Sequence, residues 1–169
     1  MSHWLARLVR HRLFDEGDTA RAVSKEALAR IGARVAASEK HHGGEIRVVV
    51  EAGLPLSYLR RGASPRDRAV SLFGKLRVWD TEANSGVLIY LLLAEHAIEI
   101  VADRGLNRHV DAAAWAAIAE QMKEAFRHGD FEAGLMAAID SVDALLVRHF
   151  PPQEGRVDVN ELPDAPLLR

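Results

Sequence analysis

Apolar residues recur along most of the chain at spacings that choose between helix and strand. From Ser24 to about Ser38, Leu28, Ile31 and Val35 step by three and four, the mark of one buried helical face. Ser24 supplies the cap and Glu26 complements the positive end of the helix dipole. His41-His42-Gly43-Gly44 breaks that period, and EIRVVVE, from Glu45 to Glu51, reads as a strand. AGLPLSYLRRGA predicts a loop or irregular crossover. Ser64-Pro65-Arg66-Asp67 is a helix start, with Ser64 as cap, Pro65 at the first position and Asp67 reaching back. Ala69, Phe73 and Leu76 give that helix its apolar stripe. RVWDTEANS, from Arg77 to Ser85, is polar and turn-prone. The unbroken apolar run GVLIYLLLA, from Gly86 to Ala94, suits a strand buried on both faces. Glu95-His96 closes a hairpin into AIEIVAD, from Ala97 to Asp103, which alternates at the strand period and ends at Arg104-Gly105. Two helices follow. Asp111 caps the first, with Trp115, Ile118, Met122 and Phe126 on one face; Gly129 ends it. Asp130 caps the second, with Phe131, Leu135, Ile139, Val142 and Leu146 inward, and Pro151-Pro152 stops it.

A strand–helix–strand crossover makes the first two strands parallel, with a right-handed connection. The hairpin makes the third antiparallel to the second. The chain is therefore expected to be a single α/β domain, one mixed β-sheet layered by helices. Residues 1–20 form an N-terminal basic amphipathic segment, residues 21–150 the α/β domain, and residues 151–169 an extended C-terminal tail.

In the first segment Trp4, Leu5, Leu8, Val9 and Leu13 share a stripe at helical spacing, while Arg7, Arg10 and Arg12 lie largely off it. No acid precedes Asp15. That pattern fits a helix resting on an anionic membrane surface. It equally fits a terminal helix packed on the domain or on a partner subunit. The rest of the composition is mostly exclusion. The 169 residues carry a net charge of −2 at a pI near 6.4, which gives no electrostatic footprint for nucleic acid. The absence of cysteine excludes disulfides, thiolate chemistry and cysteine-type zinc sites. The longest apolar run falls well short of the roughly 20 residues needed to cross a bilayer. MSHWLARLVRHRLF lacks the apolar core of a secretory signal, so a cytoplasmic location is the default expectation.

Four stretches carry a family resemblance: HGGEIRVVVE at His42 to Glu51, NSGVLIYL at Asn84 to Leu91, IEIVADRGL at Ile98 to Leu106, and the spacing Trp115…Phe126…Gly129-Asp130-Phe131…Leu135. Together they resemble the TPM domain, named from a thylakoid lumen protein, a photosystem II repair factor and a nematode receptor-associated protein. The resemblance covers roughly Ser24 to Phe150. It implies a three-layer α/β/α sandwich around a small mixed sheet. It also implies a binding or assembly role towards membrane-associated protein complexes, divalent-cation binding, and weak acid phosphatase activity. Against the family pattern, the sequence leads to the expectation of neither a signal peptide nor a C-terminal transmembrane anchor, and its NELPDAP tail lies outside the shared core.

Strand direction places the candidate chemistry independently of that resemblance. The first two strands begin, and the third ends, at one edge of the sheet. Three loops should converge there: His41 to Gly44, Asp80 to Asn84, and Asp103 to Gly105. Asp80, Glu82, Asn84 and Asp103 are oxygen donors of the kind Ca²⁺ or Mg²⁺ prefers. Asp80-x-Glu82-x-Asn84 has the alternate spacing by which one loop wraps a hard cation, although Ser85 replaces the glycine of an EF-hand. The alternative is a solvated acidic loop with Asn84-Ser85 capping a turn. Asp103 can ligate a cation or cap the following turn, and Arg104 can grip a phosphate bidentately or pair with a nearby acid. For a phosphatase, Asp103 and then Asp80 are the carboxylate candidates. His41-His42 reads as a polar pair ending a helix, because adjacent loop residues rarely face one ion. Trp79, Trp115, Phe126 and Phe131 read as core aromatics. G-x-S-x-G, the P-loop, H-E-x-x-H and the Rossmann fingerprint are all absent.

Overall fold

The computed structural model describes residues 3–152 and 160–169. Its elements are α1 (His3–Leu13), α2 (Glu16–Ala22), α3 (Lys25–Ser38), β1 (Glu45–Glu51), α4 (Leu56–Arg60), α5 (Pro65–Lys75), β2 (Gly86–Leu92), β3 (Ala97–Ala102), α6 (Arg104–Asn107), α7 (Ala112–Arg127), α8 (Phe131–His149) and β4 (Leu167–Leu168). Single 3₁₀ turns lie at Glu39–His41 and Leu93–Glu95.

The caps explain the helix starts. Ser24 Oγ accepts the Ala27 N–H at 3.1 Å, and Asp111 accepts that of Ala114 at 2.8 Å. Ser64 and Asp67 form the reciprocal capping box expected ahead of Pro65. Asp130 occupies the cap position of α8 without a side-chain cap bond. Asp15 caps α2 through a second box with Asp18. The stretch expected as an irregular crossover contains the short helix α4.

The sheet order is β3-β2-β1-β4. β1 runs parallel to β2 in register Glu45↔Gly86 to Glu51↔Leu92, and β2 pairs antiparallel with β3 from Val87↔Ala102 to Leu92↔Ala97. Both inner strands are buried along their whole length. Their side chains alternate between two cores, as strand geometry requires. Ile46, Val48, Val50, Val87, Ile89 and Leu91 pack under α3, α7 and α8. Val49, Leu88, Tyr90 and Leu92 pack against α4, α5 and the residues after them. This is the α/β/α sandwich. Within the tail, Leu167 and Leu168 add a fourth strand parallel to β1; residues 153–159 lie outside the described residues. Trp79, read as a core aromatic, is 50% exposed, because it sits in the turn after α5, where its Nε1 donates to Gly74 O at 3.3 Å. Among the described residues no helix is long and apolar enough to cross a membrane.

Candidate functional site at the amino end of the central strands

The three predicted loops meet through short polar contacts. Ser85 Oγ donates to Gly43 O at 2.9 Å, the Asp103 N–H to Gly86 O at 2.9 Å, and the Gly105 N–H to Asn84 O at 3.1 Å. Two glycines permit this approach. A Cβ on Gly105 would lie 2.4 Å from Asn84 O, and one on Gly86 would lie 1.9 Å from Val78 O. Asn84 takes a left-handed backbone (φ 53°), which its short amide tolerates. The sequence reading anticipated this convergence, since it follows from strand direction alone.

Asp103 is the centre of the edge. It is only 8% exposed. Its Oδ1 accepts the Arg104 N–H at 2.6 Å, capping the one-turn helix α6. Its Oδ2 is buried without a hydrogen-bond partner. A buried acceptor left unsatisfied is costly, and structures normally supply it with a donor, a water or an ion. Asn84 is tied to the residues that follow: Arg104 Nε donates to Asn84 Oδ1 at 2.9 Å. The structure thus brings Asn84, Asp103 and Arg104 together. Asp80 is engaged elsewhere, held by the Arg77 guanidinium, whose Nε donates to Asp80 Oδ2 at 2.9 Å. The Glu82 N–H donates to the Glu161 carboxylate at 3.2 Å. Among the described residues no group of three or more His, Asp or Glu side chains gathers as a metal-holding cluster. An ion at this edge would therefore rely on Asp103 Oδ2, oxygens of Asn84 and water. That donor set is all oxygen and carries a single negative charge, which suits a weakly held hard cation.

Other polar groups behind the edge were not anticipated. His42 is fully buried. Its Nδ1 accepts the Gly44 N–H at 3.1 Å, so in the neutral ring the hydrogen sits on Nε2, which faces Asp143 Oδ1 at 3.4 Å. Asp143 in turn receives Arg34 Nη2 at 2.9 Å. The His41–His42 pair is therefore split: His42 braces β1 against α8, while His41 is exposed. Glu39, just upstream, accepts the Ile46 N–H at 3.1 Å. Burial, and then the neighbouring Glu45 charge, push its carboxyl up to about 8. Sequence signals for these partners are weak, because Asp143 and Asp164 are distant in the chain.

The model of the TPM domain matches residues 17–145. The chain belongs to the TPM domain family. Solved structures agree with that assignment. This TPM domain is similar to the BA42 protein of the psychrophilic bacterium Bizionia argentinensis, with a TM-score of 0.75 and 27% identity, covering 87% of this chain and 95% of that one. It also shares its fold with the N-terminal domain of a protein from P. gingivalis, with a TM-score of 0.63 and 20% identity, over 80% of this chain and 85% of that one. No curated protein matches it.

Proposed function

We propose that this TPM domain is a binding and assembly module for membrane-associated protein complexes, and that a divalent cation, Ca²⁺ or Mg²⁺, conditions its loop edge at Asp103. The observation that carries the cation reading is Asp103 Oδ2, buried and without a hydrogen-bond partner, at the edge where the next residue, Arg104, binds Asn84. Neutralising that carboxylate would stabilise the folded edge and order the loops that a partner protein meets. With one carboxylate in the donor set, the expected affinity is in the range of the weaker protein sites, about 10⁻⁴–10⁻³ M.

Thermal melts in Ca²⁺, Mg²⁺ and EDTA test this. A ligand at tenfold excess over its dissociation constant adds about 1.4 kcal/mol of stability, roughly a 3–5 °C rise for a chain of this size. The rise should vanish in Asp103→Asn. No shift with either cation, or the same shift in the variant, rejects the reading.

Arg104 favours a second reading of the same edge, a weak metal-dependent phosphatase. It is exposed, it adjoins Asp103, and Asn84 Oδ1 orients it through its Nε. In that role Asp103 supplies the carboxylate and Arg104 neutralises the phosphate, while Asp80 stays paired with Arg77. Hydrolysis of an aryl phosphate that survives Asp103→Asn and Arg104→Ala together excludes it.

A further inference from the structure

The helix α1 docks on the domain by its polar side. Arg7 Nε donates to Glu95 Oε1 at 2.7 Å, and Arg7 Nη2 to Ala63 O at 2.7 Å. His11 Nδ1 accepts the Leu54 N–H at 3.0 Å, so its Nε2 carries the hydrogen directed at Glu95 Oε1, 2.7 Å away. With these contacts and Leu8 facing inward, a narrow apolar ridge faces out. Leu5, Val9 and Leu13 follow one another at four-residue steps and are 43%, 54% and 74% exposed; Trp4, about 100° round the helix from Leu5, is 44% exposed. They are four of the seven large apolar side chains exposed among the described residues, the others being Val70, Trp79 and Val147. Of the stripe, Leu8 packs against the core beside α4, while Leu5, Val9 and Leu13 stay outside.

The charges around the stripe select its occupant. At 100° per residue Arg12 borders it on one side and Arg10 on the other, and both are exposed. No described residue of α1 is acidic. The helix rests on α4, at whose end Arg60 and Arg61 are also exposed. A narrow apolar ridge in a basic rim matches an anionic lipid interface, where arginine stems snorkel. A second copy of the chain fits less well, since a symmetric pair would crowd Arg10 and Arg12 against their own copies. We propose that the outer face of α1, Leu5, Val9 and Leu13 with Arg10 and Arg12, docks the domain on an anionic lipid surface. The helix lies in the interface plane, and Glu95 and Ala63 hold it at a fixed angle to the sheet. This surface lies at the far end of β2 from Asp103 and does not depend on the cation.

Sedimentation of the full chain with phosphatidylcholine vesicles, with and without phosphatidylglycerol, tests the proposal. EDTA is included so that calcium bridging cannot contribute. Binding is expected only with the anionic lipid, and it should weaken as salt is raised. Replacing Leu5, Val9 and Leu13 together by alanine, which preserves helix propensity, should lower partitioning at least about tenfold. Arg10→Gln and Arg12→Gln should each lower it roughly fivefold. Circular dichroism and melting of these variants should match the parent, because the side chains are exposed. The proposal is overturned if anionic vesicles do not bring the protein down, or if the triple variant binds as well as the parent. It is also overturned if sedimentation velocity shows a dimer that the triple variant dissolves while no lipid binds, which would give the stripe to a second copy.

Discussion

At the residue scale, two carboxyls near the loop edge differ in how they meet their surroundings. Asp103 owes its place to strand direction, which can be read from the order of elements. The Glu39 environment cannot be read that way: it depends on Glu45 next to it and on Asp164 from the far end of the chain. The consequence is a pH dependence of definite sign. Glu39 ionises above about 4.5 in the unfolded chain but stays protonated up to about 8 in the fold. Between those values the folded state binds the extra proton, so stability falls as pH rises. Urea melts across that window should show the decline, and Glu39→Gln should flatten it. An unchanged slope in the variant would assign the effect to another group.

At the element scale, the long periodic helices α3, α5, α7 and α8 were legible because each has a repeating apolar face, joined in α3, α5 and α7 by a residue that caps the first turn. The helices α2, α4 and α6 were not. Each spans two turns or fewer and has too few apolar positions to show a period. They persist because caps and tertiary contacts hold them, as Asp15 does for α2 and Asp103 for α6. The α1 stripe was visible in the sequence, but which side would face the domain was not, since arginine and histidine are poor guides to burial until their partner is known. Burial opposes ionisation of Glu95, yet the hydrogen bonds from Arg7 and His11 prevail and hold its carboxyl below the usual range. His11→Ala should cost about 1–3 kcal/mol in urea unfolding, because it leaves the Leu54 N–H unsatisfied in a buried position. Faster proteolysis within α1 should accompany the loss.

Taken as a whole molecule, the sheet is buried on both faces and must still accommodate Glu51, Arg47 and Tyr90. Arg68 meets Glu51 through two parallel bonds, Nε to Oε2 at 2.9 Å and Nη2 to Oε1 at 2.5 Å. The Tyr90 hydroxyl donates to Glu51 Oε2 at 2.7 Å. Burial, followed by the Glu51 charge, raises the Tyr90 pKa. Arg47 donates to the carbonyls of Pro163 and Ala165, tying the tail to the strand it flanks. These contacts join layers whose sequences are far apart. Glu51→Ala should cost about 3–5 kcal/mol, because it leaves a buried guanidinium unpaired. The double variant with Arg68→Ala should cost less than the sum of the two single changes, as measured by a denaturation cycle.

The sequence alone determined the helix and strand types of the long elements, the directions of the three main strands, and the rim where Asn84, Asp103 and Arg104 meet. Each of those follows from local periodicity or chain direction, and both are written along the chain. Tertiary structure decided which atoms found partners. It left Asp103 Oδ2 without one and gave Asp80 to Arg77, buried His42 against Asp143, added β4 from the tail, and turned an apolar ridge of α1 outward. Such outcomes depend on pairings between residues distant in sequence, and the free energy of a polar group is set by its partner and its burial rather than by its neighbours along the chain.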